Sequence, residues 1–519
     1  MRRRLVLSLL LTPALLRAQS AHPNVLISVQ NQPNETSIAI NPKNTQQLVA
    51  GANLNNQYSS LDGGRTWTWR TLTSPYSVWG DPVVVADTTG AFYYFHLSNP
   101  GATSIGFPFI DRLLVQRTAS ATTPFGFRSF FGLNAPKQQD KEWVAVDRKT
   151  NALYATWTEF DAYGSLNTRD STRILFTKSL DQAQTWSKPQ RISFYGGNAV
   201  DEDATVEGAV PAVGPNGEIY TTWAGPRGIV FNRSLDAGQT WLPRERTILS
   251  QPGGWDYAVP GIYRANGLPV TACDASAGPH RGNVYVNWTD QRNGPSDTDV
   301  WLARSTDGGQ TWSAPTRVNN DPPGRHQFFT WMTIDQKTGY LWFVFYDRRN
   351  YADTRTDVYG ARSTDGGLTF QNFRLSQSPF VPNEGAFFGD YTNITAHDNV
   401  VRPVWTRMDG TESSAWTALI AVPVLTPGTA AAQLELTLQA YPNPTSHTLN
   451  LALELPVAAF THVELLNATG QRVRTVQSGH LSAGHQQLRV PVQDLAAGMY
   501  LLQAKVGATS LHRKITVLH

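Results

Sequence analysis

The chain has 519 residues, of which 40% are hydrophobic, 11% aromatic and 16% charged, and it contains 41 glycines and 32 prolines. Many turn-forming and aromatic residues combined with few charges are typical of a turn-rich all-β protein, and they argue against a helical bundle or a disordered chain. The formal net charge of +3 gives no indication of a nucleic-acid partner. The single cysteine, Cys273, excludes an internal disulfide and a CxxC metal site.

The N-terminus has the layout of a secretory signal peptide, which we predict over residues 1–18. Three arginines at positions 2–4 precede an apolar run at 5–16, and Ala18 offers a small residue for cleavage. This run is shorter than the roughly 20 apolar residues that a membrane span needs. We therefore expect an exported protein that begins near Gln19 and does not span a membrane.

One eight-residue pattern, S-x-D-x-G-x-T-W, occurs five times between residues 60 and 370, with Phe replacing Trp in one copy and Ala replacing Gly in another. Its aspartate is suited to accept backbone N–H groups in a tight turn, and its glycine adopts the positive φ that such a turn requires. The tryptophan that follows is expected to pack inward from the next strand. We predict a structural role for the five aspartates, which are Asp62, Asp181, Asp236, Asp307 and Asp365.

This pattern closely resembles the Asp-box of the sialidase-like BNR repeat proteins, which are β-propellers. The resemblance implies a propeller over residues 19–424, with the boxes on the face opposite the functional site. Strand patterns divide residues 34–424 into seven units of about 56 residues each, a typical propeller repeat. Sialidases themselves have six blades, so a six-bladed ring is the alternative. The last unit lacks an outer strand, and we expect residues 24–29 to supply it and close the ring.

Residues 425–433 are predicted to be a linker, and residues 434–519 have the alternating strand pattern of a small Ig-like β-sandwich. Three segments, 441–444, 463–473 and 495–500, resemble the type IX secretion sorting domain of Bacteroidota in both motif and order. The resemblance implies transport by the type IX machinery and a secreted or cell-surface location, with the domain removed or attached to lipopolysaccharide. An ordinary Ig-like accessory domain is the alternative.

In a propeller the first residues of each innermost strand meet the loops between the second and third strands at one end of the central channel. Acids, arginines and aromatic rings are concentrated at these positions, and such groups suit a polar or anionic ligand such as a sugar. We predict Asp81, Glu207 and Tyr391 as catalytic candidates. The ligand-binding candidates are Glu142, Trp143, Arg292, Arg348, Asp390 and Arg407. Asp290 with Arg292 and Asp347 with Arg348 have a second interpretation, as braces of their own loops.

The sequence leaves open whether the protein is an enzyme. We expect a surface-attached propeller that binds glycans, with a glycoside hydrolase, including an exo-α-sialidase, as the alternative. The Arg-Ile-Pro motif of the sialidase family is absent, because no arginine occurs between Gln19 and Gly64. Serine-hydrolase, zinc-protease and phosphate-binding motifs are also absent. We expect a monomer with no cofactor and no metal, although clustered carboxylates leave Ca²⁺ as an alternative.

Overall fold

The computed structural model describes residues 22–99, 110–420, 422, 437–455, 459–481, 484–506 and 509–519. The predicted signal peptide and linker lie outside these residues. The chain divides into two compact units, Met1–Val422 and Pro423–His519. In the described residues every regular element is a β-strand.

Seven four-stranded antiparallel sheets make up the first unit. The first three are formed by β2 (Ser37–Ile40), β3 (Leu48–Ala52), β4 (Asn56–Ser60) and β5 (Thr68–Thr71); β6 (Val83–Ala86), β7 (Phe92–Ser98), β8 (Arg112–Thr118) and β9 (Gly126–Phe131); and β10 (Gln138–Val146), β11 (Leu153–Phe160), β12 (Thr172–Ser179) and β13 (Gln190–Arg191). The next two are formed by β14 (Glu207–Val213), β15 (Ile219–Ala224), β16 (Ile229–Ser234) and β17 (Arg246–Leu249); and β20 (Val270–Cys273), β21 (Val284–Asp290), β22 (Asp299–Ser305) and β23 (Thr316–Arg317). The last two are formed by β24 (Gln327–Asp335), β25 (Tyr340–Asp347), β26 (Asp357–Ser363) and β27 (Gln371–Arg374); and β28 (Asn393–His397), β29 (Val400–Asp409), β30 (Glu412–Ala418) and β1 (Asn24–Ser28). A short hairpin of β18 (Asp256–Tyr257) and β19 (Ala265–Asn266) lies between the fourth and fifth sheets in sequence.

The sheets are packed face to face, so their middle strands are buried on both sides. In β7 all seven residues, Phe-Tyr-Tyr-Phe-His-Leu-Ser, are buried, whereas the outer strand β5, Thr-Trp-Arg-Thr, is exposed throughout. Burial on both faces selects continuous apolar and aromatic runs over the alternating pattern of a half-exposed sheet. The innermost strand of each sheet contacts that of the next sheet, and β28 contacts β2, so the sheets form a closed ring.

The N-terminal strand β1 closes this ring, as the missing outer strand of the last unit predicts. Asn24 pairs with Ala418 and Leu26 pairs with Trp416 of β30. The Asn24 side chain also donates to the Leu375 carbonyl at 2.8 Å. The first strand of the chain thus completes the seventh sheet and also contacts the sixth.

Each Asp-box forms the turn after the third strand of its sheet. In the box of Asp307, Oδ1 accepts the N–H groups of Gln310 and Thr311, both at 2.9 Å, and Oδ2 accepts the Thr311 hydroxyl at 2.6 Å. The Ser305 hydroxyl donates to the same carboxylate and accepts the Gly309 N–H. The other four boxes have the same turn contacts, so each aspartate accepts backbone N–H groups of its own turn.

A second role of the boxes is to join neighbouring sheets. A long cationic side chain of the preceding sheet donates to a box carbonyl in each of four cases. These bonds are Lys178 to Ala237, Arg233 to Gly308, Arg304 to Gly366 and, across the closure of the ring, Arg402 to Gly63. These contacts were not predicted from the sequence, although a cation immediately before the box serine occurs in several units.

The second unit contains two antiparallel sheets. One is formed by β31 (Thr437–Tyr441), β32 (Thr448–Leu455) and β35 (Gly484–Pro491), and the other by β34 (Arg472–Leu481), β33 (Ala459–Leu466), β36 (Gly498–Val506) and β37 (Thr509–Val517). Alternate residues of β32, including Leu449, Leu451 and Leu453, share one buried core with Val463 and Leu465 of the other sheet. This unit therefore has its own core.

Candidate functional site

The seven innermost strands enclose a central channel of about 600 Å³. Three aromatic rings lie across the end where these strands begin. The Trp143 and Trp331 ring centroids are 4.3 Å apart, and the Trp143 and Tyr391 centroids are 5.1 Å apart. We call this end the channel mouth; the loops between the second and third strands lie on the same face.

A repeated backbone irregularity directs side chains toward the mouth. Glu35, Asp81, Lys141 and Phe329 have φ values of 48–49° near the start of the innermost strands of four different sheets. The pairing register shifts there in three sheets, between Asp140 and Trp143 in the third. A β-bulge of this kind turns a side chain away from its normal direction, and it is rare for residues other than glycine to hold a positive φ.

Lys141 is the centre of a buried ion cluster at the mouth. Its Nζ lies 2.5 Å from Asp390 Oδ2, 3.7 Å from Asp81 Oδ2 and 3.9 Å from Glu35 Oε1. These four residues come from the third, seventh, second and first sheets, so the closed ring is what brings them together. An amino group shared by three carboxylates ties the mouth side of these sheets to one another.

Arg264 extends the cluster to the surface. Its Nε donates to Asp390 Oδ1 at 2.8 Å, its Nη2 bonds the same carboxylate, and its Nη1 lies 3.3 Å from Asp201 Oδ2. Asp201 also accepts the Tyr163 hydroxyl. The Arg264 side chain is 39% exposed and is carried by the hairpin of β18 and β19. The network therefore runs from the buried Lys141 to a solvent-accessible guanidinium group.

The carboxyl groups of the cluster differ strongly in their affinity for protons. Burial, and then the charge of Asp81, raises the pKa of Asp140 to about 7. Burial and neighbouring carboxylates also raise the pKa values of Glu35, Glu142 and Glu207 well above the ordinary range. Seven carboxyl groups meet two cations here, and they are Glu35, Asp81, Asp140, Glu142, Asp201, Glu207 and Asp390.

The pKa of Asp390 is shifted in the opposite direction, downward. Although burial alone would raise its pKa, Lys141 and Arg264 hold the pKa of this carboxyl well below its usual range. Asp390 is thus the group that carries the negative charge against the two cations, while several of its neighbours hold their protons. A cluster with both protonated and ionised carboxyl groups is typical of a functional site, and it also occurs in structural ion networks.

Six of the predicted site residues lie together at the mouth, and they are Asp81, Glu142, Trp143, Glu207, Asp390 and Tyr391. All six are buried; Glu207 has no exposed surface, and Tyr391 is 9% exposed. Neither carboxylate oxygen of Glu142 has a hydrogen-bond partner among the described residues. Burial raises the pKa of the Tyr391 hydroxyl well above its usual value, which disfavours the phenolate form.

The predicted arginines do not join this cluster. Arg292 Nη2 lies 2.5 Å from Asp290 Oδ2, and the guanidinium group covers the rings of two tryptophans of its own sheet. Arg407 Nε lies 2.7 Å from Asp409 Oδ2. Arg292 thus braces the loop that carries it, which is the second interpretation of the sequence. Arg407 lies on β29 with Asp409 and also donates to the Ser378 and Pro379 carbonyls.

For the sixth sheet the predicted brace names the wrong arginine. Arg349, not Arg348, pairs with Asp347, with a distance of 2.7 Å between Nη2 and Oδ2. The spacing of two residues is the same as in Asp290 and Arg292, and it could have identified Arg349 from the sequence. Arg348 is buried, donates from Nε to Thr356 Oγ1 at 3.1 Å and lies over the Phe328 ring.

Sequence reasoning did not commit to three residues that organise the mouth, Lys141, Arg264 and Asp201. Lys141 depends on a positive φ, which the sequence does not reveal at a residue other than glycine. Arg264 lies in the long connection between β17 and β20, and an unusually long loop is itself a signal for a functional segment.

Among the described residues, no three His, Cys, Asp or Glu side chains are arranged closely enough to hold a metal ion. The mouth carboxylates face Lys141 and Arg264, so their negative charge is already balanced in part by these cations. In the described parts of the chain there is also no helix with the length and hydrophobicity of a membrane span.

Two segments of the chain match known families. Residues 303–314, which contain the box of Asp307, match the BNR/Asp-box repeat. Residues 439–518 match the secretion system C-terminal sorting domain. The second unit is such a sorting domain. The chain therefore contains a BNR/Asp-box repeat and carries a C-terminal sorting domain of this class, and the sorting domain implies secretion and attachment at the cell surface.

A xyloglucanase from Paenibacillus sp is 26% identical over 211 residues, which cover 38% of this chain and 18% of that protein. The chain thus spans less than a fifth of the length of this relative. Among solved structures, the Hadza microbial sialidase Hz136 has a TM-score of 0.41 at 13% identity, covering 72% of this chain and 73% of that one. The NanB sialidase of Streptococcus pneumoniae has a TM-score of 0.44 at 9% identity, covering 67% and 71%.

Proposed function

We propose that this protein is a secreted, cell-surface-attached, seven-bladed propeller that binds glycans at the rim of the channel mouth without cleaving them. The observation that carries the proposal is the contrast between the two parts of the mouth. The groups suited to catalysis, Asp81, Glu207 and Tyr391, are buried inside a closed ion network. The groups suited to binding are exposed beside it.

The exposed rim is centred on the hairpin that carries Arg264. Tyr263 is 62% exposed, and its ring centroid lies 6.2 Å from that of Phe387. The Arg264 guanidinium lies 5.3 Å from the Phe387 centroid, and the exposed Asp203 accepts the Asp256 N–H at 2.7 Å. Aromatic rings stack on the apolar faces of sugars, and nearby charged and polar groups bond their hydroxyls.

The buried network has a positioning role in this proposal. Asp390 holds Arg264 through two nitrogen atoms and is itself fixed by Lys141 at 2.5 Å. Asn266 of the same hairpin donates to the Asp390 carbonyl at 3.0 Å. A guanidinium group that is fixed before the ligand arrives loses little side-chain entropy on binding.

A glycoside hydrolase is the second candidate, and one observation favours it. The pKa of Asp140 is raised to about 7, mainly by burial, so this carboxyl group holds a proton near neutral pH. Such a group is suited to act as a general acid toward a glycosidic oxygen. The Tyr163 hydroxyl, bonded to Asp201 next to Glu207, is the accessible tyrosine of the cluster.

The two candidates are separated by a glycan array run beside a panel of chromogenic glycosides, using the full chain. We expect array binding without turnover, and at least about tenfold weaker binding for Tyr263→Ala and for Arg264→Ala. Phe127→Ala is the control, because Phe127 is an exposed ring on β9, an outer strand of the second sheet. Binding that survives both rim variants contradicts the proposal, and turnover that is lost in Asp140→Asn supports the hydrolase instead.

A further inference from the structure

A cleft of about 270 Å³ lies between the sixth and seventh sheets, next to the closing strand β1. It shares no lining residue with the central channel and none with the ion cluster of the mouth. We call it the side cleft. Its lining includes Asn24, Phe380, Trp405, Arg407, Asp409 and Trp416.

One wall of the side cleft is aromatic. Trp405 of β29 and Trp416 of β30 are paired directly opposite each other, so both rings lie on the same face of the seventh sheet. Trp405 is 2% exposed, whereas Trp416 is only partly buried and lines the cleft. The Trp416 indole N–H donates to Ser414 Oγ at 2.9 Å, which holds the ring in place. A partly accessible indole ring of this kind is suited to stack on the apolar face of a sugar.

The other wall is an ion pair that is held from two sides. Arg407 Nε and Nη2 donate to the two carboxylate oxygens of Asp409 at 2.7 and 2.9 Å. The same guanidinium group donates from Nη1 to the Ser378 hydroxyl at 3.0 Å and from Nη2 to the Pro379 carbonyl at 3.3 Å. Arg407 therefore extends from the seventh sheet to the segment that follows the sixth.

Asp409 is the polar group that the side cleft offers to a ligand. Its side chain is 59% exposed, and Arg407 occupies one lone pair on each of its oxygens, so each oxygen keeps an open acceptor site. The guanidinium group already balances the charge of the carboxylate. The open sites therefore suit the hydroxyl groups of an uncharged ligand better than a free cation or an anion.

Asn24 holds the third side of the side cleft. Its Nδ2 donates to the Leu375 carbonyl at 2.8 Å, and its Oδ1 accepts the Gln377 N–H at 2.9 Å. Arg407 binds Ser378 of the same segment. The cleft is thus assembled before a ligand arrives, and a preformed site loses little conformational entropy on binding.

We propose that the side cleft binds one uncharged sugar ring, stacked on Trp416 and hydrogen-bonded through its hydroxyl groups to Asp409. The volume of about 270 Å³ is just below the range of about 300–1,000 Å³ that is typical of pockets for drug-sized ligands, so it suits a single ring. The site does not depend on the glycan site at the mouth, because its lining includes neither Tyr263 nor Arg264. A glycan long enough to reach both sites would be held more tightly than by either site alone.

Ligand-observed NMR on the full chain tests the proposal. Saturation-transfer difference spectra are recorded with the methyl glycosides of glucose, galactose, mannose and xylose. We expect saturable transfer to at least one of these uncharged sugars. Glucuronate should displace the bound glycoside poorly, because the exposed Asp409 repels its carboxylate. If glucuronate displaces it at a lower concentration than the glycoside itself does, the ligand is not an uncharged sugar.

Variants assign the binding to the named residues. Trp416→Ala is expected to weaken binding at least about tenfold, and Asp409→Ala several-fold. Trp69→Ala is the control for the first, because Trp69 is 38% exposed on the outer strand β5 of the first sheet. Asp353→Ala is the control for the second, because Asp353 is 56% exposed and pairs with Arg355 at the same spacing of two residues.

A third variant separates the side cleft from the mouth. Tyr263→Ala should leave the binding of the methyl glycoside unchanged, even if it abolishes binding at the rim of the mouth. Melting followed by tryptophan fluorescence checks the fold, and Asp409→Ala keeps the test valid if Trp416→Ala does not fold, because Asp409 is an exposed residue. The proposal is overturned if no methyl glycoside gives saturable transfer, if a folded Trp416→Ala or Asp409→Ala binds like the wild type, or if Tyr263→Ala abolishes the binding.

Discussion

Replacing Asp307 with alanine tests the structural role of the Asp-box most directly. The carboxylate accepts the N–H groups of Gln310 and Thr311, the Thr311 hydroxyl and the Ser305 hydroxyl, all within 2.9 Å. The same turn presents the Gly308 carbonyl to Arg233 of the preceding sheet. The substitution therefore removes the acceptor of one turn and loosens the contact between two sheets.

The magnitude follows from these four hydrogen bonds. Each contributes about 0.5–1.5 kcal/mol to the free energy of unfolding. Gln310 and Thr311 are exposed, so in the variant water can accept hydrogen bonds from the two N–H groups in place of the missing carboxylate. We therefore expect the lower end of the range for each bond and a total loss of roughly 1–3 kcal/mol.

The effect has a defined pH dependence. Bonds from the Thr311 side chain and backbone hold the pKa of Asp307 well below its usual value of 3.8. A carboxyl group whose pKa is lowered by folding stabilises the protein above its unfolded pKa and loses this contribution as the pH falls. The difference in stability between wild type and Asp307→Ala should thus be full at neutral pH and become smaller below about pH 3.8.

Urea denaturation followed by tryptophan fluorescence is the assay. None of the 16 tryptophans lies in residues 434–519, so the signal reports on the propeller without interference from the sorting domain. Asp353→Ala is the control, because Asp353 is exposed and pairs only at the surface, with Arg355. We expect no measurable change in the unfolding midpoint when this exposed pair is removed.

A double-mutant cycle with Arg233→Ala extends the test to the contact between sheets. If the Asp307 turn presents the Gly308 carbonyl to Arg233, the double mutant should lose less free energy of unfolding than the sum of the losses in the two single mutants. An unfolding midpoint of Asp307→Ala equal to that of the wild type would refute the structural reasoning for the box. Strict additivity with Arg233→Ala would refute its role in joining the sheets.

Two further predictions concern the mouth and the sorting domain. Burial raises the pKa of Asp140 to about 7, so the folded state binds the proton of this carboxyl group more tightly than the unfolded chain does. The stability that the bound proton contributes is therefore full below about pH 4 and is lost as the pH rises to 7. Asp140→Asn should therefore reduce the fall in melting temperature between pH 4 and 7, while the control Asp353→Asn should leave this fall unchanged. If the melting temperature of Asp140→Asn falls with pH as it does in the wild type, the assigned pKa is contradicted. Deleting residues 434–519 should leave the fluorescence melting temperature unchanged and abolish surface display, measured by surface labelling of cells; normal display would contradict the sorting role.

The sequence predicted those features that depend on local patterns. Each box contains all of its turn partners within eight residues, so its geometry can be read from the motif. The closing strand was predictable because the last unit lacks an outer strand and the segment at 24–29 has no other unit to join.

The detailed chemistry of the mouth was not predictable, because it depends on contacts between distant residues. Arg264 and Asp390 are 126 positions apart, and the contact exists only because the ring brings the hairpin between the fourth and fifth sheets to the seventh sheet. Lys141 reaches the centre of the mouth through a backbone with φ of 49°. The burial of Glu207 and Tyr391 also depends on how the rings of the mouth pack. A residue's place on a strand indicated that it lies near the mouth, but not whether solvent reaches it.

The closing strand has a consequence for a protein that works outside the cell. The Leu419 N–H donates to the Pro23 carbonyl at 2.9 Å, so the propeller begins and finishes at the same place. A protease cut in one outer loop leaves the two fragments joined by the pairing of β1 with β30 and by the packing on both sides of the cut. An open row of sheets would fall into two pieces after the same cut. Nicked protein should therefore keep its shape and its mouth, and only a second cut would release a piece of the ring.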